Sequence, residues 1–442
     1  MNLAQRPPAR HPRKRPRSPD HRPTGARRLS ATLLVVALTV LAAALSSTGA
    51  AQQAPPAVPP GPPGYRLEVL ATGLRLPVAA VPLYDTGALL VVALDGSVFR
   101  YQDGRVEPDP FLSLAGRVTG LLGEQGLFSV ALEPRERAAA RGGPAHLVAA
   151  FTEAGTNDLV VAAYPLLPDL DGADGEGEVV LLRQPMPQPF HHGGQVAFGP
   201  DGMLYVSIGD GQQDPAYLYD RPHAAQDLSS LRGKVLRLDP FPQGSAAPYA
   251  VPSDNPFTPA TNAAAAAAGA RGEVWAYGFR NPWKFTFAPS DGALLLADVG
   301  EDRWEEIDLV AAGANYGWPV REGPECFHHP EDGTLVAGDC EALATVAPIA
   351  YYGHPGTDEA GGKSVVGGVE VTDRELPSLR GAYLFGDFIS GRLWALDRAT
   401  GEVRPLLERA GAMLAIVAGP QGEVLLLTVD GTLARLREAP AE

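Results

Sequence analysis

The chain has 442 residues, 36 Lys or Arg against 51 Asp or Glu for a net charge of −15, and a 45% hydrophobic composition. With 50 Gly and 43 Pro it has too many helix breakers for a mainly helical protein and enough apolar residues for a large core, so a turn-rich globular fold is predicted. Residues 1–28 hold nine basic side chains and one acid, leaving 27 basic and 50 acidic groups in the rest, a balance that argues against nucleic-acid binding and is compatible with calcium.

The basic stretch ends in Arg27 and Arg28, runs into the apolar residues 31–45 and is followed by the small residues Ser46, Ser47, Thr48, Gly49, Ala50 and Ala51. This is the layout of an export signal over residues 1–51. The apolar run is shorter than the roughly 20 residues that span a bilayer, so cleavage is expected rather than a stable membrane span. The expected destination is periplasmic or secreted, by the Sec route or, given the paired arginines, the twin-arginine route. Residues 52–64 are Pro-rich and read as an extended linker.

From residue 65 to 440 one unit recurs: an apolar strand, a turn around Pro, Asp and Gly, then a second apolar strand. It is seen in VPLYDTGALLVVALDGSVFRY (81–101), FGPDGMLYVSIGDG (198–211), FAPSDGALLLADVGED (287–302) and AGPQGEVLLLTVDGTLARL (418–436), with a related unit at 381–397. Tight turns and the lack of any long amphipathic segment predict an all-β protein, a single β-propeller domain with long inserted loops. The alanine run within 259–271 is one such insertion, worth at most one or two helical turns. Cys326 and Cys340 flank the loop FHHPEDGTLVAGD. In an exported protein such a pair most simply forms a local disulfide; a metal site with His328 and His329 is the alternative.

The blocks GEQGLFSVALEP, HHGGQVAFGPDGMLYVSIGDG, AQDLSSLRGKVLRLDP, VWAYGFRNPWKFTFAP, DVGEDRWEEIDLV, NYGWPVREG and RGAYLFGDFISGRLWAL together resemble the soluble glucose/sorbosone dehydrogenase family. Its best-known members are PQQ-dependent aldose-sugar dehydrogenases. The resemblance runs over nearly the whole chain after the linker. It implies six blades, a PQQ cofactor over the central channel with Ca²⁺ beside it, a sugar substrate, and a quinone or cytochrome as electron acceptor.

Oxidising a sugar hydroxyl by hydride transfer needs a base for the O–H proton, and imidazole titrates in the right range. His191 and His192 precede a Gly-Gly pair and a strand, where neighbouring side chains diverge, so only one can face the cofactor. The family pattern selects His191 as the base and Asp210, at the end of the same hairpin, as its orienting partner. The plain alternatives are polar loop histidines and a turn aspartate before Gly211. Arg280 suits the charge that grows on a reduced quinone, and Asn281 a cofactor oxygen. The resemblance further assigns cofactor contacts to Glu124, Thr345 and Arg380, a cofactor-side calcium to the carbonyls of Gly300 and Glu301, and a second calcium to Glu306 and the backbone of Tyr316. Without the resemblance, the acids of 301–306 read as a solvated turn.

Two departures bear on function. Some relatives have glutamine at Glu124 and lysine at Arg380. Sugar-oxidising relatives also carry two arginines, one residue apart, before the final hairpin, where this chain has Ala412 and Leu414; Arg409 is nearby. Loss of two charge-assisted contacts bears on PQQ binding. The expectation is an exported quinoprotein dehydrogenase, with a non-catalytic propeller binding module as the alternative.

Overall fold

The computed structural model describes residues 64–119, 124–212, 223–328, 340–358 and 361–439. The predicted export signal, and all but the last residue of the predicted linker, lie outside them. Among the described residues six antiparallel sheets of four or five strands follow one another along the chain, and a two-stranded ribbon, Arg321–Glu322 with Glu325–Cys326, is inserted within the fourth. The first blade is built from Pro77–Pro82, Leu89–Ala93, Ser97–Gln102 and Arg105–Val106. The second has Leu127–Leu132, His146–Thr152, Leu159–Pro165 and Val179–Gln184. Gly193–Phe198, Leu204–Ile208 and Lys234–Pro240 form the third, with Tyr249–Ala250 and Val274–Tyr277 on its outer edge. The fourth holds Pro282–Phe287, Leu294–Asp298, Trp304–Val310 and Ala350–Gly353. The fifth holds Val365–Val366, Tyr383–Asp387, Leu393–Leu396 and Val403–Leu407.

The sixth blade takes Met413–Ala418, Val424–Thr428 and Leu433–Glu438 from the C-terminal end and its outer strand, Tyr65–Ala71, from the N-terminal end. Tyr65 pairs with Glu438 and Leu67 with Leu436, and Arg437 Nε donates to Glu68 Oε2 at 2.6 Å. This pairing closes the ring and leaves neither terminal strand with an open edge toward its blade.

The repeated unit explains the geometry. In residues 199–202 the Gly202 N–H donates to Gly199 O at 2.9 Å, and Asp201 Oδ1 accepts from Met203 N at 3.0 Å. Gly202 has φ +75°, a conformation that its lack of Cβ allows. Apolar residues from facing blades then interlock. Phe128, Val148, Val161, Leu204, Val206 and Leu236 form one core between the second and third blades; burying each such side chain is worth about 1.5–3 kcal/mol.

Each innermost strand starts, and each second strand ends, on the same face of the ring. On that face the register between these two strands shifts at the start of the innermost strand in five blades: at Pro77/Ala79, Leu127/Ser129, Gly193/Val196, Pro282/Lys284 and Met413/Ala415. An irregularity of this kind bends the strand and re-aims the residues beside it. The channel mouth is therefore ringed by residues freed from strict alternation.

The alanine run contributes one short helix, Ala263–Ala267, capped by Asn262, whose side chain accepts from Ala265 N at 3.0 Å. Cys326 and Cys340 are joined in a disulfide with Cα atoms 5.9 Å apart, so neither offers a free thiolate to a metal. His329 lies outside the described residues. Among the described residues no helix is long and apolar enough to cross a membrane.

Residues 65–440 are expected to behave as one domain: limited proteolysis should trim loops, and a stable half-length fragment would contradict this. Reducing the disulfide is expected to cost about 3 kcal/mol by loop entropy and to lower Tm by about 3–5 °C. Calorimetry with and without reductant measures it.

Candidate active site

His191 and His192 sit at the channel mouth, before the innermost strand of the third blade, and the structure gives them different surroundings. His192 is fully buried. Its Nε2–H donates to Gln188 O at 2.9 Å, Nδ1 accepts from the Thr152 hydroxyl at 2.9 Å, and its ring packs edge-on against Phe128. Burial lowers its pKa and keeps it neutral. His191 makes one ring hydrogen bond among the described residues, from Nδ1–H to Asp210 Oδ1 at 2.8 Å, which leaves Nε2 as an unengaged acceptor. Its backbone has φ +54°, a strained conformation for a residue with a Cβ. Its N–H donates to Glu124 Oε2 at 2.8 Å and its carbonyl accepts from Gly211 N at 3.2 Å.

Asp210 follows the second strand of the same blade and is fully buried. Besides His191, its carboxylate accepts from Gln212 N at 2.7 Å and from Trp318 Nε1 at 2.8 Å, with His223 Nε2 3.7 Å away. Burial works against the charged form, but His191, then His223 and Arg280, outweigh it and hold the carboxyl below its ordinary range. The close approach of the hairpin depends on Gly209, where a Cβ would lie 2.1 Å from His191 O.

Arg280 and Asn281 precede the innermost strand of the fourth blade. Asp298 Oδ2 and Oδ1 accept their backbone N–H groups at 2.8 and 2.6 Å, which fixes the loop. The Arg280 guanidinium donates to Val299 O at 2.8 Å and, through Nε and Nη2, to Glu301, and it lies 5.7 Å from the Trp318 ring centroid. Burial opposes its charge, yet Glu301 and Asp210 raise its pKa above the usual arginine value. It therefore offers the site a permanent charge rather than free donors. Asn281 is a strut: Oδ1 accepts from Gly193 N at 3.2 Å and Nδ2 donates to Glu124 Oε2 at 3.0 Å. One Glu124 oxygen thus holds both His191 and Asn281.

In the turn after Asp298, Glu322 Oε1 accepts the N–H groups of Glu301, Asp302 and Arg303 at 2.6, 2.7 and 3.2 Å. Across a planar trans peptide the carbonyl points opposite to the N–H. The carbonyls of Gly300 and Glu301 therefore point away from Glu322, as a cation site built on them needs. Glu306 is buried and accepts from Gly323 N at 2.9 Å. Burial, compounded by Asp308 and Asp298, pushes its pKa well above the usual range. Tyr316 uses its phenol structurally, donating to Leu309 O at 2.6 Å. Asp308, which sequence reading passed over, faces the same side as Glu306 and has both carboxyl oxygens buried without a hydrogen bond. The only described set of three His, Cys or acid groups with ligand atoms within 4.8 Å of one another is Cys326, Cys340 and Glu341, so backbone carbonyls would have to complete any site here.

Two predicted cofactor contacts fare differently. Thr345 lies in the loop beside Gly317, where its Cγ2 would be 3.4 Å from a Cβ at that glycine, next to Trp318. Arg380 is exposed and precedes the second strand of the fifth blade, which puts it on the face opposite to His191; the end of that strand nearest the mouth carries Asp387. Its assignment to the cofactor is therefore withdrawn. Ala412 and Leu414 do flank the start of the innermost strand of the sixth blade, at the mouth. The sequence did not point to Trp318 or His223: Trp318 stands 108 residues from Asp210, with the tryptophan within NYGWP as its only signal, and His223 lies in the long stretch after Asp210, whose path no local pattern fixes.

The fold is that of the soluble propeller dehydrogenases. The soluble aldose sugar dehydrogenase of Escherichia coli in its apo-form superposes with a TM-score of 0.67 at 24% identity, over 85% of this chain and 100% of that one. The PQQ-bound aldose sugar dehydrogenase of Streptomyces coelicolor gives 0.59 at 24%, over 86% and 100%. Residues 74–436 match the Glucose / Sorbosone dehydrogenase family, and the chain belongs to it. It is 26% identical over 392 residues to the aldose sugar dehydrogenase YliI of E. coli K12, covering 86% of this chain and 94% of that protein. It is 36% identical over 226 residues to the HIPL1 protein of Arabidopsis thaliana, a match that spans 49% of this chain but only 31% of that protein.

Glu124→Leu is expected to destabilise the fold by about 2 kcal/mol or more in urea unfolding, since two donors lose a charged acceptor. Glu124→Gln keeps an oxygen for both bonds and should stay within about 1 kcal/mol of the parent.

Proposed function

We propose that the chain is an exported, periplasmic or secreted quinoprotein dehydrogenase that oxidises the anomeric hydroxyl of an aldose, or a related aldehyde or alcohol. The observation that carries this reading is the unengaged Nε2 of His191, whose Nδ1 is held by buried Asp210 beside the permanent charge of Arg280. In this reading Nε2 takes the proton of the substrate hydroxyl. Asp210 fixes the tautomer that leaves Nε2 basic and stabilises the imidazolium that forms.

PQQ, when bound, supplies the quinone that accepts the hydride. The residues at the mouth suit a flat anionic group: Arg280 offers charge, the Asn281 amide keeps a second N–H, the buried Trp318 ring backs the Arg280 guanidinium, and Thr345 borders the same loop. The carbonyls of Gly300 and Glu301 would hold Ca²⁺ beside it, and Glu306, the Tyr316 backbone and the orphaned Asp308 carboxylate would take a second cation. The PQQ-bound form known for the Streptomyces protein supports the cofactor, and the disulfide supports export. Electrons would pass on to a quinone or cytochrome. A non-catalytic binding module is the second reading, favoured by Ala412 and Leu414 at positions where an anionic cofactor would find no cation.

Purified apo-protein supplied with PQQ and Ca²⁺ is expected to reduce a dye over a panel of aldoses with saturation; binding of PQQ without turnover on any sugar or aldehyde would favour the second reading. His191→Ala should lower kcat by about 10² or more with PQQ affinity retained. His192→Ala should instead lower Tm, because it leaves Thr152 and Gln188 without a buried partner. The opposite ranking in kcat would move the base to His192.

A further inference from the structure

Lys284 stands on the innermost strand of the fourth blade and is 7% exposed. Its Nζ donates to Phe128 O at 3.1 Å. Phe128 belongs to the innermost strand of the second blade, so the lysine reaches past the third blade, across the channel. The Phe128 ring packs against His192 with centroids 5.8 Å apart, so the ammonium is bound to the residue on which the second histidine rests. Gly194 makes this possible, since a Cβ there would lie 2.5 Å from the Phe128 ring.

No ion pair is formed by Lys284 among the described residues: besides the Phe128 carbonyl its ammonium meets the Trp283 ring, 4.8 Å from the centroid, a contact that carries no counter-charge and leaves two ammonium hydrogens without an oxygen acceptor. Burial with no acid beside it lowers its pKa to about 7. A buried amine without a counter-ion is unfavourable as a structural device and suited to a site that an anion completes. Of the cations that the sequence placed at or near the cofactor, none supplies that anchor. Arg280 spends its donors on Val299 and Glu301, Arg380 is on the far face, Ala412 and Leu414 are apolar, and Arg409 is exposed, where charge is screened by water.

We propose that Lys284 is the anion anchor of the site, its ammonium binding, from the channel below, a carboxylate of a planar quinone polycarboxylate laid over the mouth. This rests on the cofactor reading above and adds to it the residue that replaces the cations absent from the sixth blade. Lys284 touches ligand but neither gives nor takes the reacting proton.

The test is titration of the full-length apo-protein with PQQ, followed by quenching of tryptophan fluorescence, with Tm measured in parallel. Lys284→Met and Lys284→Gln should both weaken PQQ binding by about 10- to 100-fold, while Lys284→Met keeps or raises Tm because it removes a buried amine. Arg409→Ala should bind as the parent does. Unchanged affinity in Lys284→Met would overturn the proposal. So would a loss of both Tm and affinity in Lys284→Met that Lys284→Gln restores, since the glutamine amide can still reach Phe128 O and the lysine would then be only a strut. A parent protein that binds no PQQ would defeat the cofactor reading itself, and the anchor with it.

Discussion

The carboxylate of Asp210 is the point on which the mouth of this propeller depends. Its oxygens receive His191 Nδ1, Gln212 N and Trp318 Nε1, its own N–H donates to Arg280 O at 2.8 Å, and its carbonyl accepts from Arg232 Nη1 at 3.1 Å. Taking a carboxylate out of water costs several kcal/mol unless its lone pairs are satisfied, and here they are satisfied by groups from three parts of the chain. The same bonds that offset burial bring the third blade, the fourth-blade loop and the Trp318 turn into one rigid arrangement. The imidazole is thereby held through Nδ1, and Nε2 is the nitrogen left free.

Around this centre the fourth blade carries an unusual load of buried charge. Asp298 ties down Arg280 and Asn281, Glu305 accepts from Val365 N at 2.9 Å and pairs with His354 at 2.7 Å, and the Asp308 carboxyl has no hydrogen-bond partner among the described residues. Burial raises Asp298, Glu305, Glu306 and Asp308 together. Acids held in this way favour the protonated folded state, so each costs stability as pH rises above the ordinary carboxylate range; a bound cation would reverse that sign. Asp210 acts in the opposite sense: its folded pKa is depressed, so its contribution is present at neutral pH and is lost as pH falls through that depressed value. The chemistry of the mouth and the charge state of the fourth blade are therefore linked through the Asp298 loop.

The parts of the site that lie within one hairpin were legible in the sequence. His191 and Asp210 belong to a single strand-turn-strand unit, and a side-chain period of two separates His191 from His192 before any coordinates are seen. Glu124, Arg280 and Asn281 were legible as residues of the mouth, although the joint grip of one Glu124 oxygen on the other two was not. Arg380 shows the opposite case. A motif near a strand does not say which end of the strand it occupies, and the two ends of a propeller strand lie on opposite faces.

From the sequence alone came what local physics controls: an all-β chain of repeated hairpins, the turns at Asp-Gly, a cysteine pair close enough to join, and the separation of two adjacent histidines. Only the tertiary structure decided which groups meet across blades. Trp318 and His223 reach Asp210, Lys284 crosses the channel to Phe128, and Tyr65 closes the ring on Glu438, because ring closure sets the neighbours of each innermost strand. Spacing along the chain carries no record of that closure, since residues as far apart as Asp210 and Trp318, or Phe128 and Lys284, meet only when six sheets have packed face to face.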